Sequence, residues 1–239
     1  MEILPGIEII DLALYIKPKK TLILADLHLG YEEFLRESGC LIPEFQYEKI
    51  TGHLNEIFAQ IEVETVIING DLKHEFGRIS RQEWSEVLDF LDFLSGNCEE
   101  VILIRGNHDT IAGPIADKKN VGLRNHYFFD DLKVYVSHGH KIPDDRDFHD
   151  SEIVIIAHDH PAIGLREELR VEKVKCFLCG SWGDKRLIVM PSFNFVTEGV
   201  DVLQESLLSP FLHQDLSRFE AYAVEEAKVL YFGELSRFY

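Results

Sequence analysis

The chain has 239 residues, 46% hydrophobic and 28% charged, enough for one sizeable core and too few for more than one or two domains. Forty-two acidic against 24 basic side chains give a net charge of -18, which argues against coating nucleic acid or an anionic membrane by bulk electrostatics. Local handling of phosphate groups stays open.

The first residues, MEILPGIEIIDLALYIKPKK, lack the basic start and uninterrupted apolar core of a secretory signal. No stretch reaches the roughly 18 uncharged apolar residues of a spanning helix, so a cytoplasmic location without membrane partners is expected. No repeat, low-complexity tract or linker divides the chain, and a single domain over 1–239 is expected.

In chain order, short apolar runs rich in β-branched residues read as buried strands: TLIL from Thr21, TVII from Thr65 and VILI from Val101, then VYV from Val134 and IVII from Ile153. Amphipathic helices are predicted between the first three, over residues 44–61 and 81–94. In the second, Trp84, Val87, Leu88, Leu91 and Leu94 form an apolar stripe at helical spacing. Later segments change character. YFFDDLKVYV has hairpin-like spacing, and FEAYAVEEAKVLYFGEL alternates around a Glu-Glu-Ala-Lys turn as a strand pair. Helices early and strand pairs late predict a mixed α/β fold with two packed sheets. Cys176 and Cys179 form a CxxC with no second pair to complete four ligands. On an alternating strand they point to opposite faces, so they read as buried thiols; with Cys40 and Cys98 they are too few for a disulfide framework.

The residues just beyond each of the five apolar runs carry the chemistry. The runs lead into Asp26-Leu27-His28, into Gly70-Asp71, into Gly106-Asn107-His108-Asp109, into His138-Gly139-His140, and into His158-Asp159-His160. Strand ends deliver side chains into a common crevice on a rigid frame. Asp26 and His28, like His158 and His160, are two apart, so on an extended backbone both members of each pair face one side. Imidazoles mixed with carboxylates suit divalent ions such as manganese, iron or zinc, whereas an all-oxygen set would suit magnesium or calcium. Six of the 11 histidines fall directly after these runs, too many for coincidence.

The ordered series Asp26-x-His28, Gly70-Asp71, Asn107-His108-Asp109, His138 and His158-x-His160 resembles the five-motif signature of the calcineurin-like metallophosphoesterase superfamily. ADLHLGYE, the GCLIP after it, and INGDLKHEFG resemble more narrowly the archaeal SbcD-related and the DNA-ligase-associated phosphoesterases. The resemblance implies a double β-sheet sandwich flanked by helices and two divalent ions, manganese first, with zinc, iron or nickel as alternatives. It places Asp26, His28, Asp71 and His160 on one ion and Asp71, Asn107, His138 and His158 on the other. It makes His108 the general acid for the leaving group, with Asp109 supporting its ring. His74 stands where the family usually has Asp, and Ala157 where it usually has Gly. His74 and His140 are expected beside the ligands. The implied substrate is a phosphodiester, with DNA and a link to DNA repair proteins as the first reading and a small nucleotide as the second. A scaffold without chemistry is disfavoured, because all seven ligand positions are filled. Arg166, Arg170, Lys173, Lys175, Lys185 and Arg186, with Trp182 among them, form either a phosphate-binding strip or solvated strand edges. Leu203, Leu207, Leu208 and Phe211 precede the final strand pair as a lid, an oligomer contact or core cover.

Overall fold

β1 (Glu2–Leu4), β2 (Ile7–Ile10) and β3 (Ala13–Ile16) open the computed structural model as an antiparallel meander. The model describes residues 1–74, 81–109, 118, 119, 121–167 and 170–238. β3 pairs antiparallel with β4 (Thr21–Leu24), which runs parallel to β5 (Thr65–Asn69), β6 (Glu100–Ile104) and β7 (Gly122–Arg124) in turn. The meander was not anticipated. Its turns at Gly6 and Asp11 take positive φ, 77° and 54°, and break a segment too short to show its period.

Crossover connections between parallel strands account for the helices. α1 (Tyr31–Glu37) and α2 (Gln46–Gln60) lie between β4 and β5, and α3 (Arg81–Ser95) between β5 and β6. The second and third fall where helical periodicity put them. Val87, Leu91 and Leu94 of the apolar stripe are fully buried, with Trp84 and Leu88 packed against the same core.

A second sheet contains β8 (Tyr127–Phe129), β9 (Val134–Val136), β10 (Ile153–Ile156), β11 (Pro161–Glu167), β12 (Arg170–Trp182), β13 (Lys185–Val189) and β14 (Val200–Asp201), in the order β14-β11-β12-β13-β10-β9-β8. β15 (Glu220–Glu225) adds to β12, and β16 (Lys228–Glu234) to β15. Both expected strand pairs are present as antiparallel hairpins, β8 with β9 and β15 with β16. Glu226 and Ala227 turn the second hairpin with φ of 47° and 60°.

Alternation along the second sheet sorts its side chains between two cores. Val134, Val136, Ile155, Ile188, Phe177 and Cys179 pack inward with β4–β6, α2 and α3; Tyr135, Val154, Ile156, Leu187, Leu178 and Cys176 pack outward against Phe148, Phe211 and Phe219. Cys176 and Cys179 do point to opposite faces, both buried. The inner core therefore lies between the sheets and continues through the first sheet to its helices. Burying a side chain such as Phe177 there contributes on the order of 2–3 kcal/mol. The outer face is covered by α4 (Arg146–Asp150) and by the chain after β14. Among the described residues no helix is long and apolar enough to cross a membrane.

Candidate metal centre

The carboxyl ends of β4, β5, β6, β9 and β10 converge, bringing all seven predicted ligands together. Asp71 is central: its Oδ2 lies 3.3 Å from His138 Nε2, 3.9 Å from His108 Nε2 and 4.0 Å from His28 Nε2, while Oδ1 accepts the His108 backbone N–H at 2.9 Å. On one side Asp26, His28 and His160 present ligand atoms within 4.8 Å of one another; on the other Asp71, His138 and His158 do the same. Asn107 Oδ1 is 2.9 Å from His138 Nε2. Asp26 ties the halves: Oδ2 accepts the His158 N–H at 2.9 Å and lies 3.4 Å from His160 Nε2.

The backbone that does this is not extended. Asp26, His28, Asp71, His158 and His160 have φ of 50°, 47°, 45°, 79° and 48°. Asp and His tolerate this region better than most residues, but each such position costs of order 1–3 kcal/mol unless its surroundings fix it. Asp26 and His28 still face one side, because Ala25, Leu27 and Leu29 around them are buried in the core.

Several contacts hold the strained loop. His28 N–H and Leu29 N–H donate to the Asp71 and Leu72 carbonyls, continuing the β4–β5 ladder. Gln46 Nε2 donates to the carbonyls of Leu27 and His28, Asn194 Nδ2 to Leu27, and Phe193 N to Ala25. Lys175, half-buried on β12, in turn donates to the Ser192 and Asn194 carbonyls and to Ser192 Oγ. Two glycines are sterically required: a Cβ on Gly70 would lie 2.1 Å from His138 Nδ1, and one on Gly106 2.0 Å from Asp71 Oδ1.

Burial sets the protonation states. It holds His28 well below the usual imidazole range and takes His158 down to about 4 and His160 to about 3, the neutral form a metal needs. Burial, then the neighbouring Asp71, pushes Asp26 up to about 8 and Asp109 to about 6. Asp71 goes the other way: burial raises it, but hydrogen bonding and charge from His138 more than reverse this. His138 loses stability as a cation by burial, yet Asp71 and Asp26 raise it to about 9. Asp26 Oδ1 and His28 Nδ1 are buried without a hydrogen-bond partner, and His28 and His160 bring Nε2 atoms to 3.2 Å. Carboxylates and neutral imidazoles gathered this closely out of water call for cations, and this mixed N/O set fits divalent ones.

The remaining expectations divide. His108 faces the site through Nε2, but its Nδ1 hydrogen-bonds the His74 carbonyl. Asp109 instead accepts the Gly106 N–H at 3.0 Å, so it braces the loop rather than the His108 ring. His74 lies beside the ligands, 5.4 Å from His28 between ring centroids, and lines with Tyr31, Asn107, His108, Val200 and Leu208 a cavity of about 680 Å³. His140 lies 5.4 Å from the His138 ring but lines a separate cavity on the far side.

Among the described residues the basic strip does not form. Lys185 is buried and donates to the His149 and Ser151 carbonyls, Lys173 pairs with Glu205, Lys175 is the clamp described above, and Arg186 donates to Cys179 Sγ. Trp182 packs on Phe148 and Phe211. The Arg166 and Arg170 side chains lie outside the described residues. Among the apolar tail residues Phe211 closes the outer core, whereas Leu208 is 70% exposed at the cavity. The chain is held there by Asp159, which accepts the Leu208 and Ser209 N–H groups at 2.6 and 2.8 Å.

Asn194, Gln46 and Tyr31 were missed, and Lys175 was read only as a member of the basic strip. Only Lys175 left a signal: two residues before Phe177, it puts a lysine in the core-facing register of β12.

The family model described as Calcineurin-like phosphoesterase matches residues 19–187. Among solved structures, the chain is similar to the Pseudomonas putida nuclease MPE, with 22% identity over 95% of this chain and 94% of that one and a TM-score of 0.64, a likeness of fold. It also aligns with Yfce, a phosphoesterase from E. coli, at 14% identity over 88% of this chain and 96% of that one, with a TM-score of 0.42. No curated protein matches.

Proposed function

The chain belongs to the calcineurin-like phosphoesterase family, hydrolases of phosphoester bonds, and from that premise we propose that it is a manganese-dependent phosphodiesterase acting on DNA. One observation carries the dinuclear part of this reading: a single buried carboxylate, Asp71, stands between the Asp26/His28/His160 and His138/His158 groups. In this reading Asp26, His28, Asp71 and His160 hold one ion, and Asp71, Asn107, His138 and His158 the other.

When bound, such a pair supplies a nucleophile at neutral pH and positive charge against the phosphoryl oxygens. The chain's own residues do the rest. A phosphodiester entering the cavity meets His108 Nε2 at its wall. With Nδ1–H donated to the His74 carbonyl, the ring is held with Nε2 toward Asp71 and the cavity, where as general acid it would hand a proton to the leaving oxygen. Having given that proton, His108 keeps Nδ1–H and its orientation. Asp109 acts at one remove, fixing the turn that carries Asn107 and His108.

DNA as the substrate, and repair proteins as partners, are supported by the resemblance of ADLHLGYE and INGDLKHEFG to repair-associated phosphoesterases and by the fold shared with a nuclease. The test is metal-stripped protein reconstituted separately with manganese, zinc and magnesium and assayed on single- and double-stranded DNA, an aryl phosphodiester and an aryl phosphomonoester. Manganese is expected to restore cleavage of DNA and of the diester. Activity confined to the phosphomonoester would overturn the reading.

A further inference from the structure

With Lys173, Lys175, Lys185 and Arg186 all engaged elsewhere, other groups near the site have to help grip a polyanion. Three rings stand next to the phosphate cavity. α1 starts at the site itself, the Tyr31 N–H donating to the His28 carbonyl at 3.2 Å, so its first ring is fixed relative to a predicted ligand. The Tyr31 ring lies on His74, centroids 4.0 Å apart at 33°; Phe34 is 5.0 Å from His74 and stacks with Tyr31 at 6.2 Å and 23°. His74 carries the series inward, 5.7 Å from His108.

These rings are not simply core. Tyr31 is half-buried and lines the cavity, and Phe34 stays 39% exposed. Val200 and Leu208 add apolar surface to the same cavity. An acidic surface repels phosphates, but a ring face binds any base regardless of charge.

We propose that Tyr31 and Phe34, backed by His74, are a stacking platform for an unpaired nucleobase adjoining the phosphate that is cleaved. The proposal rests on the phosphodiesterase reading and adds to it a base-bearing, single-stranded substrate, since a paired base keeps its faces in the duplex stack.

The experiment uses the manganese-loaded chain in two arms. The first measures cleavage of single-stranded oligonucleotides identical except for one abasic residue stepped past the cleaved bond. At one position the abasic residue is expected to raise KM about tenfold for the wild type; Tyr31→Ala raises KM by the same factor on the intact strand and is then insensitive to the abasic residue, while Tyr31→Phe behaves as wild type. Equal abasic penalties in the wild type and Tyr31→Ala would overturn the platform. The second arm follows quenching of a 2-aminopurine nucleotide on binding, without cleavage. Quenching that disappears in Tyr31→Ala and persists in Tyr31→Phe supports stacking even if no DNA is cut, in which case the DNA reading fails and the ligand is a free nucleotide. Quenching indifferent to Tyr31 overturns the platform whatever is hydrolysed.

Discussion

Among the described residues two places gather histidine and two or more carboxylates within ligand distance, and they are built in opposite ways. Around Asp71 the carboxylates, His28 and His138 are buried and the other ligands half-buried, five of the groups sit on left-handed backbone, and Asp26 Oδ1 has no hydrogen-bond partner. Around His126 all three are half-buried and already occupied: His126 lies 3.2 Å from Asp147 and stacks on Tyr135, while Asp145 caps α4 through the Phe148 N–H and accepts the Tyr135 hydroxyl at 2.8 Å. Proximity of ligand types is common to both. What separates them is incompletely satisfied burial, a cost that bound cations would offset at the first place and that neighbouring groups already remove at the second.

The comparison breaks or holds on a matched pair of substitutions. Asp71→Asn keeps the shape of the central carboxylate without its charge and is expected to lower phosphodiester hydrolysis by about 10³-fold or more, with loss of bound metal by elemental analysis. Asp147→Asn is expected to change neither. Metal lost equally from both variants would erase the distinction.

A smaller effect separates holding a metal from using it. His108→Ala is expected to keep the full metal content and lose about 10²-fold in kcat. If metal leaves with the imidazole, His108 belongs with the ligands and not with proton transfer.

Smallest is the effect of the clamp beneath the site. Lys175→Met removes the donor that fixes Ser192 and Asn194, and with them Ala25 and Leu27; metal affinity should fall about tenfold, as for groups that orient ligands. The same variant has a pH signature. Burial takes Lys175 from its ordinary 10.5 down to about 7, so between those values the unfolded chain holds a proton that the native chain has released. Native stability contributed by this group therefore rises with pH through that window. Between pH 7 and 9 the wild type should gain up to about 1.4 kcal/mol per pH unit relative to Lys175→Met in urea unfolding. Parallel pH profiles would show that the lysine stays charged.

The strands and the seven converging residues were legible because each lies at a place where local pattern and tertiary position coincide, an apolar run ending in a polar pair. The left-handed turns were not, since Asp-x-His presents the same face whether the strand continues or kinks. The basic strip failed for a related reason. Charge in a sequence says nothing of partners: Lys185 sits opposite Trp182 in the β12–β13 register and turns inward to two carbonyls, and Lys173 meets Glu205 from 32 residues away. Likewise α1, only seven residues long, leaves too little period to be seen, yet it carries the rings beside the cavity.

The left-handed backbone at Asp26, His28, Asp71, His158 and His160 also bears on how this chain can change over generations. Asparagine is at ease in that conformation, and codons for both aspartate and histidine reach it by one nucleotide. Mutation can thus remove the charge or the imidazole at any of these positions while leaving the turn that carries it undisturbed. The architecture is able to outlive its chemistry, and descendants that keep the shape and have lost hydrolysis lie a short distance away in sequence.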